Sequence, residues 1–346
     1  MLLRVKYSII LGACIHAPNF NKKDLKHMKQ KIRRIAGLLA GGAVLAAMVA
    51  FPGVQIKKQA EQEPKKFGAT YMTMNNPYFI ALNESIREGI EANGDVLITR
   101  DPAQDQDRQN EQIREMIDEG VTAIFLNPVD WTEVSEGLKM CKEAGVAVFN
   151  VDTKVYEQNM VESVIWSDNY QAGVQCAKDM MKKKAKADIL IMKHYNIQST
   201  NERVEGFLDT IEGHDEYKIV EELTTTSEFE FSMEEMDRVI NKGLKFDVVL
   251  GGNDPTALGA LAGLQLNHVT DKILIYGIDG SPDAKEMIKK GYLEGTSSQQ
   301  PVLIGKTAVE AAYQYLQGEP IEKDIMIDVI MITKENLEEF DIDGWL

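Results

Sequence analysis

The sequence predicts an α/β protein made of two doubly wound parallel-sheet domains joined by a three-strand hinge, and three observations lead there. Short apolar, β-prone runs alternate with amphipathic stretches of about 10 to 15 residues from Phe67 onward, the signature of repeated βαβ units. The alternation occurs in two series, which calls for two similar domains rather than one long sheet. Such runs also lead repeatedly to a polar side chain with turn or helix residues beside it, at Asn76, Asn127, Asp152, Arg203, Asn253, Asp279 and Gln299. Ligands of open parallel sheets sit outside the carboxyl ends of the strands, so these side chains are expected to converge on one crevice.

The first series opens with a strand over 67–73 and a helix over 78–92, whose Ile80, Leu82, Ile86 and Ile90 recur at helical spacing. A strand over 96–99, a helix over 105–119, a strand over 121–126 and a helix over 132–144 follow, and 146–151 is the fourth strand. The second series predicts strands over 189–192, 217–223, 246–250 and 273–278. Helices over 201–211, 232–242 and 256–266 separate them. After helices over 283–289 and 302–316, the β-prone runs 292–297 and 325–332 return to the domains. The predicted domains are residues 66–167 plus 300–328 and residues 168–299 plus 329–346.

The chain has 346 residues, long enough for two cores, and 27% of them are charged. Residues 1–34 hold nine Lys/Arg against one acid, Asp24, while the remainder carries 29 bases against 53 acids. A body this acidic argues against nucleic-acid binding through a basic surface. The three cysteines, Cys14, Cys141 and Cys176, lack metal-ligand spacing; Cys141 and Cys176 fall on helical patterns in different domains and read as buried free thiols.

Basic residues Lys29 to Arg34 precede an apolar run from Ile35 to Phe51, the layout of an export signal or membrane anchor. Met28 lies immediately before this module, so residues 1–27 read as an upstream extension, within a leading segment of residues 1–53. No clean A-x-A cleavage pattern follows the run. Residues 54–65, rich in Lys, Gln and Glu, read as a solvated linker. An exported protein on the extracytoplasmic face of a bacterial membrane is expected.

The stretch Met72-Thr73-Met74-Asn75-Asn76-Pro77-Tyr78-Phe79 resembles the first strand-to-helix turn of ribose-binding-type periplasmic proteins, the type I substrate-binding components of sugar ABC transporters. Agreement continues in order through Leu126-Asn127-Pro128-Val129-Asp130, Val151-Asp152, Ser167-Asp168-Asn169, Glu202-Arg203-Val204-Glu205-Gly206-Phe207, Asn253-Asp254-Pro255, Gly277-Ile278-Asp279-Gly280 and Gln299-Gln300-Pro301. The ordered set, over residues 67 to 335, is far more specific than any one motif. The resemblance implies a sugar in the cleft between two domains, with ligand groups on Asn76, Tyr78, Phe79, Asn127, Asp152, Arg203, Phe229, Asn253, Asp279 and Gln299.

The chemistry of these residues suits a neutral monosaccharide or related polyol. Carboxylates accept from hydroxyls, amides donate and accept, and Arg donates a fixed fork. Aromatic faces suit the weakly positive C–H faces of a sugar ring. Asn76 and Asn127, each beside a proline, are also good turn or cap residues, and Phe231 rivals Phe229 for its position. Trp131 reads as packing at a helix start. Where ribose binders carry Arg after the aspartate of the fourth strand, this chain has Thr153, so ribose is not expected to be the best ligand unless His194, Tyr195 or water supplies a compensating donor.

No catalytic group, cofactor or metal is called for. There is no G-x-S-x-G elbow, H-E-x-x-H helix or G-x-G-x-x-G turn, and the histidines are isolated. Delivery of the ligand to an ABC transporter permease by a monomeric protein is the first expectation. A membrane-anchored sugar sensor partnering a signalling receptor or kinase is the alternative.

Overall fold

A computed structural model describes residues 63–346. The predicted upstream extension, export signal or anchor, Cys14 and all but the last residues of the linker lie outside the described residues. Among those described, no helix is long and apolar enough to cross a membrane.

The first series is β1 (Lys66–Thr70), α1 (Pro77–Ala92), β2 (Val96–Arg100), α2 (Gln106–Asp118), β3 (Ala123–Leu126), α3 (Ser135–Ala144), β4 (Ala147–Val151) and β5 (Ser163–Ser167). The second is α4 (Asn169–Lys183), β6 (Ala187–Lys193), α5 (Gln198–Ile211), β7 (Tyr217–Thr224), α6 (Phe229–Asn241), β8 (Val248–Gly251), α7 (Asp254–Leu266), β9 (Leu274–Asp279), α8 (Pro282–Lys290) and β10 (Gly295–Ser298). Then come α9 (Pro301–Leu316), β11 (Asp324–Ile327) and β12 (Ile330–Thr333).

The strands form two six-stranded sheets, ordered β11-β5-β4-β3-β1-β2 and β12-β10-β9-β8-β6-β7. Position for position the two orders correspond, so β4 and β9 occupy equivalent places. Every pairing is parallel except β10 with β12. Interior strands such as β3 and β8 are buried along their whole length, as strands covered on both faces must be. The edge strand β7 instead carries Lys218, Glu221 and Glu222, charges that discourage pairing with another chain.

Each sheet has an apolar core on both faces. In the first domain Phe67, Phe125 and Phe149 pack with Leu82 and Ile86 of α1 and Ile304 and Ala308 of α9, and Ile124 and Val148 pack with Ile113 and Leu138 on the other side. The second domain repeats this with Ile189, Ile191 and Phe207 on one face and Leu190, Val249, Ala260 and Ile288 on the other. The chain passes between the sheets three times, after β5, after β10 and between β11 and β12. At these crossings Gln300 Nε2 donates to the Asp328 carbonyl at 2.9 Å and Gln175 Nε2 to the Val329 carbonyl at 3.0 Å.

Several boundaries differ from the sequence reading. The run 325–332 is two strands in different sheets, and β5, absent from the predicted series, completes the first. Helix α6 starts three residues before its predicted start, placing Phe229 on its first turn rather than ahead of the helix. Cys141 and Cys176 are free and buried.

Candidate ligand-binding cleft

The carboxyl ends of the two sheets face one another, and side chains from both domains close around an inner cavity of about 20 Å³. It is lined by Asn76, Tyr78, Phe79, Asp152, Arg203, Asn253, Asp279 and Gln299, together with Met72, Thr153, Ile197, Ser199, Thr200 and Ser227. Eight of the ten predicted residues meet there.

Local folding explains each placement. Asn76 caps α1, its Oδ1 accepting from the Tyr78 amide at 3.0 Å, with Pro77 at the first helical position where a missing N–H costs nothing. That start fixes Tyr78 and Phe79, whose rings meet edge to face at 5.3 Å. The Tyr78 hydroxyl donates to Gln299 Oε1 at 3.4 Å. Asn253 caps α7 in the same manner, accepting from the Thr256 amide at 3.0 Å, while its Nδ2 donates to the Ser227 carbonyl at 3.0 Å.

Asp152 directly follows β4 and Asp279 ends β9, the equivalent strand. Both have positive φ, 66° and 149°, a backbone state rare for residues with a side chain. Asp152 Oδ2 accepts from Asn127 Nδ2 at 3.0 Å and from the Thr153 hydroxyl at 3.1 Å. Asp279 Oδ1 accepts from Gln299 Nε2 at 2.7 Å and lies 3.8 Å from Arg203 Nη1. Burial pushes the Asp279 carboxyl up to about 8, with Arg203 opposing and the neighbouring Asp254 reinforcing the rise. Burial also raises Asp152, against the pull of Arg203 and the Thr153 hydroxyl.

Arg203 corrects one expectation: it ends no strand but sits within α5, where it is 3% exposed. Its Nε donates to Asn169 Oδ1 at 2.8 Å and its Nη1 to the Gly252 carbonyl at 2.8 Å. The crossing of α4 and α5 is what brings it there. A Cβ on Gly173 would lie 1.8 Å from the Arg203 carbonyl oxygen and one on Gly206 2.0 Å from that of Tyr170, so only glycine permits this approach.

Two predicted residues lie elsewhere. Asn127 is fully buried behind the cavity, accepting from the Met72 amide at 3.1 Å and donating to Asp152, so it positions a carboxylate instead of lining the cavity. Phe229, 38% exposed, borders an outer cavity of about 210 Å³ with Trp345, Glu228 and Glu230; Asn76, Ser227 and Asp279 line both spaces. His194 lines a separate opening and Tyr195 is exposed, so neither replaces the missing guanidinium. Trp131 packs edge to face on Tyr156 at 5.6 Å.

Sequence reasoning missed Ser199, Thr200, Ser227 and Trp345. Ser199 and Thr200 lie just upstream of the Glu202-Arg203 motif, and one helical turn of spacing would have pointed to Ser199. Trp345 carries no local signal. Domain-to-domain contacts run across the cleft from the Thr153 hydroxyl to that of Ser199 at 3.0 Å, from Lys154 to Glu202 at 3.6 Å, and from Gln104 Nε2 to the Thr226 carbonyl at 3.4 Å. Among the described residues no group of three or more His, Cys, Asp or Glu is arranged to hold a metal ion.

Residues 67–320 match the model of the periplasmic binding protein domain. The chain is 30% identical over 270 residues to the ribose import binding protein of Bacillus subtilis (strain 168), covering 78% of this chain and 87% of that one. Among solved structures it resembles an ABC transporter solute binding protein from Bacillus halodurans C-125 with bound myo-inositol, at a TM-score of 0.75 and 28% identity, covering 80% of this chain and 96% of that one. The periplasmic binding protein of the arabinose ABC transporter from Shewanella sp. ANA-3, bound to L-arabinofuranose, gives a TM-score of 0.75 at 25% identity, over 80% and 94% of the two chains.

Proposed function

This chain belongs to the periplasmic binding protein family, and on that premise we propose that it binds a monosaccharide or related polyol between its two domains and delivers it to an ABC importer. Members of the family hold solutes without transforming them. The observation that carries the reading is the convergence of eight hydrogen-bonding or aromatic side chains, drawn from both domains, on one buried cavity. The relatives' ribose, inositol and arabinose ligands agree in chemical class and differ in identity.

In this reading Asp152, Arg203, Asn253, Asp279 and Gln299 exchange hydrogen bonds with ligand hydroxyls. Asn76 does so from the helix start, Tyr78 and Phe79 supply the ring wall, Asn127 orients Asp152, and Phe229 flanks the mouth. The domains divide at residues 66–167 plus 300–328 and 168–299 plus 329–346, and the protein works as a monomer on the extracytoplasmic side.

A cavity of about 20 Å³ holds roughly one water molecule, far below the ~300 Å³ of small-molecule sites. A sugar therefore enters only when the domains part, and hinge closure about a ligand is the recognised motion of periplasmic binding proteins. Ligand that touches both domains favours the closed arrangement through its differential affinity.

A thermal-shift panel of pentoses, hexoses, inositols and amino acids tests the reading. Stabilisation by a sugar or polyol of about 2.7 kcal/mol at a hundredfold excess over Kd is the expected result. Stabilisation by amino acids alone would refute it.

A further inference from the structure

Acidic side chains facing the inner cavity outnumber basic ones. Asp152 and Asp279 line the inner cavity with a single cation, Arg203. That guanidinium is closest to Asp279 and is held by Asn169 and the Gly252 carbonyl. Asp254, buried behind Asp279, adds a further carboxyl group to the same side and is satisfied by the Ser281 amide and the Thr296 hydroxyl. Among the described residues Asp152 makes no ion pair at contact distance; the nearest pair in the cavity is Arg203 with Asp279.

Its two oxygens differ. Oδ2 has Asn127 and Thr153 as donors, whereas Oδ1 makes no hydrogen bond of good geometry although the residue is only 5% exposed; the Tyr78 phenol lies beside the carboxyl group. A buried carboxylate in this position is costly until something donates to it.

Both openings carry the same sign. The outer cavity presents Glu228, Glu230, Asp279 and Asp283 with no Lys or Arg, beside the aromatic rings of Phe229 and Trp345. The separate opening lined by His194, about 480 Å³ and sharing Met72 with the inner cavity, has Asp105, Asp107, Asp130 and Glu133 against that one imidazole, which burial holds toward its neutral form. A cleft lined by one sign raises the local concentration of the opposite charge, and aromatic faces attract ammonium groups.

We infer that the ligand is a polyol bearing one protonated amine, an amino sugar or an aminocyclitol, whose ammonium donates to Asp152 Oδ1. This rests on the proposed function and narrows it, against the neutral ligand that the amide-rich residue set suggested. Thr153 is the residue that makes room: a guanidinium there, as in the ribose pattern, would place a cation beside Asp152 from the protein. The short hydroxyl, turned between Asp152 and Ser199, leaves that charge to the ligand.

Calorimetric titration of the full chain at pH 7 decides the matter with pairs that differ in one group: glucose and glucosamine, galactose and galactosamine, scyllo-inositol and scyllo-inosamine. In the pair that binds most tightly, the amine is expected to bind at least tenfold better. That ratio should fall toward one at a pH above the amine's own pKa, and Asp152→Asn should lower it at pH 7. If the variant does not fold, the pH dependence of the unmodified protein carries the same information. Neutral members binding as well as their amines overturn the inference and leave the proposed function standing, as does an amine preference that survives deprotonation. If neither sugars, polyols nor their amines bind, the proposed function itself falls.

Discussion

Asp279→Asn tests the electrostatics of the cleft through its effect on stability. The Asp279 carboxyl has an ordinary value of 3.8 and is raised to about 8 in the folded protein, chiefly by burial. Between those values the folded chain holds a proton that the unfolded chain has released, so the unfolded state binds fewer protons and stability falls as pH rises. The contribution is greatest below about pH 4, declines through the window, and is fully lost above about pH 8. One proton corresponds to about 1.4 kcal/mol per pH unit, so the cost grows by roughly 3 kcal/mol between pH 5 and pH 7. Asn cannot ionise and lacks this slope. Urea denaturation of both proteins at several pH values should therefore show the variant gaining on the parent by about that amount from pH 5 to pH 7. Its absolute offset also contains the lost Arg203 contact, which is why the slope is the informative quantity. A stability difference that stays constant across this range would refute the reasoning.

Arg203→Ala leaves the buried Asn169 Oδ1 and the Gly252 carbonyl without their donor, and a loss of about 1 to 3 kcal/mol for each is expected in denaturant unfolding. Gly206→Ala places a methyl 2.0 Å from the Tyr170 carbonyl oxygen and must separate α4 from α5; a loss of about 1 to 3 kcal/mol, read as a lower Tm, is expected. Thr153→Ala removes the hydroxyl contact with Ser199 across the cleft and should weaken closure by about 1 kcal/mol, seen in small-angle scattering as a more open average shape. An unchanged scattering profile would deny that contact its role.

Much of the fold was legible because buried parallel strands are written as apolar runs and several helices begin with local punctuation: Asn76-Pro77, Asn253-Asp254-Pro255 and Ser281-Pro282. What escaped depends on long-range pairing. The run 325–332 is uniformly β-prone, and only its partners β5 and β10 divide it at the crossing between sheets. Within the cleft, strand-end polarity located Asp152 and Asp279, but it could not distinguish a residue facing the cavity from Asn127 immediately behind one. The same signal misjudged Arg203, whose position follows from two glycines on crossing helices. Trp345 reaches the outer cavity from a tail with no periodic pattern to announce it.

The positive φ angles of Asp152 and Asp279 divide the cleft into positions with unequal freedom to change. Such torsions cost about 1 to 3 kcal/mol and are tolerated best by Asp, Asn and Gly. A β-branched or bulky residue at either place would conflict with its own backbone before meeting any solute. Thr153 and Ser199 carry no such constraint, since neither has a positive φ. One scaffold can thus acquire new solutes by exchanging side chains at 153 and 199, around two positions where the main chain itself narrows the choice to a few small residues.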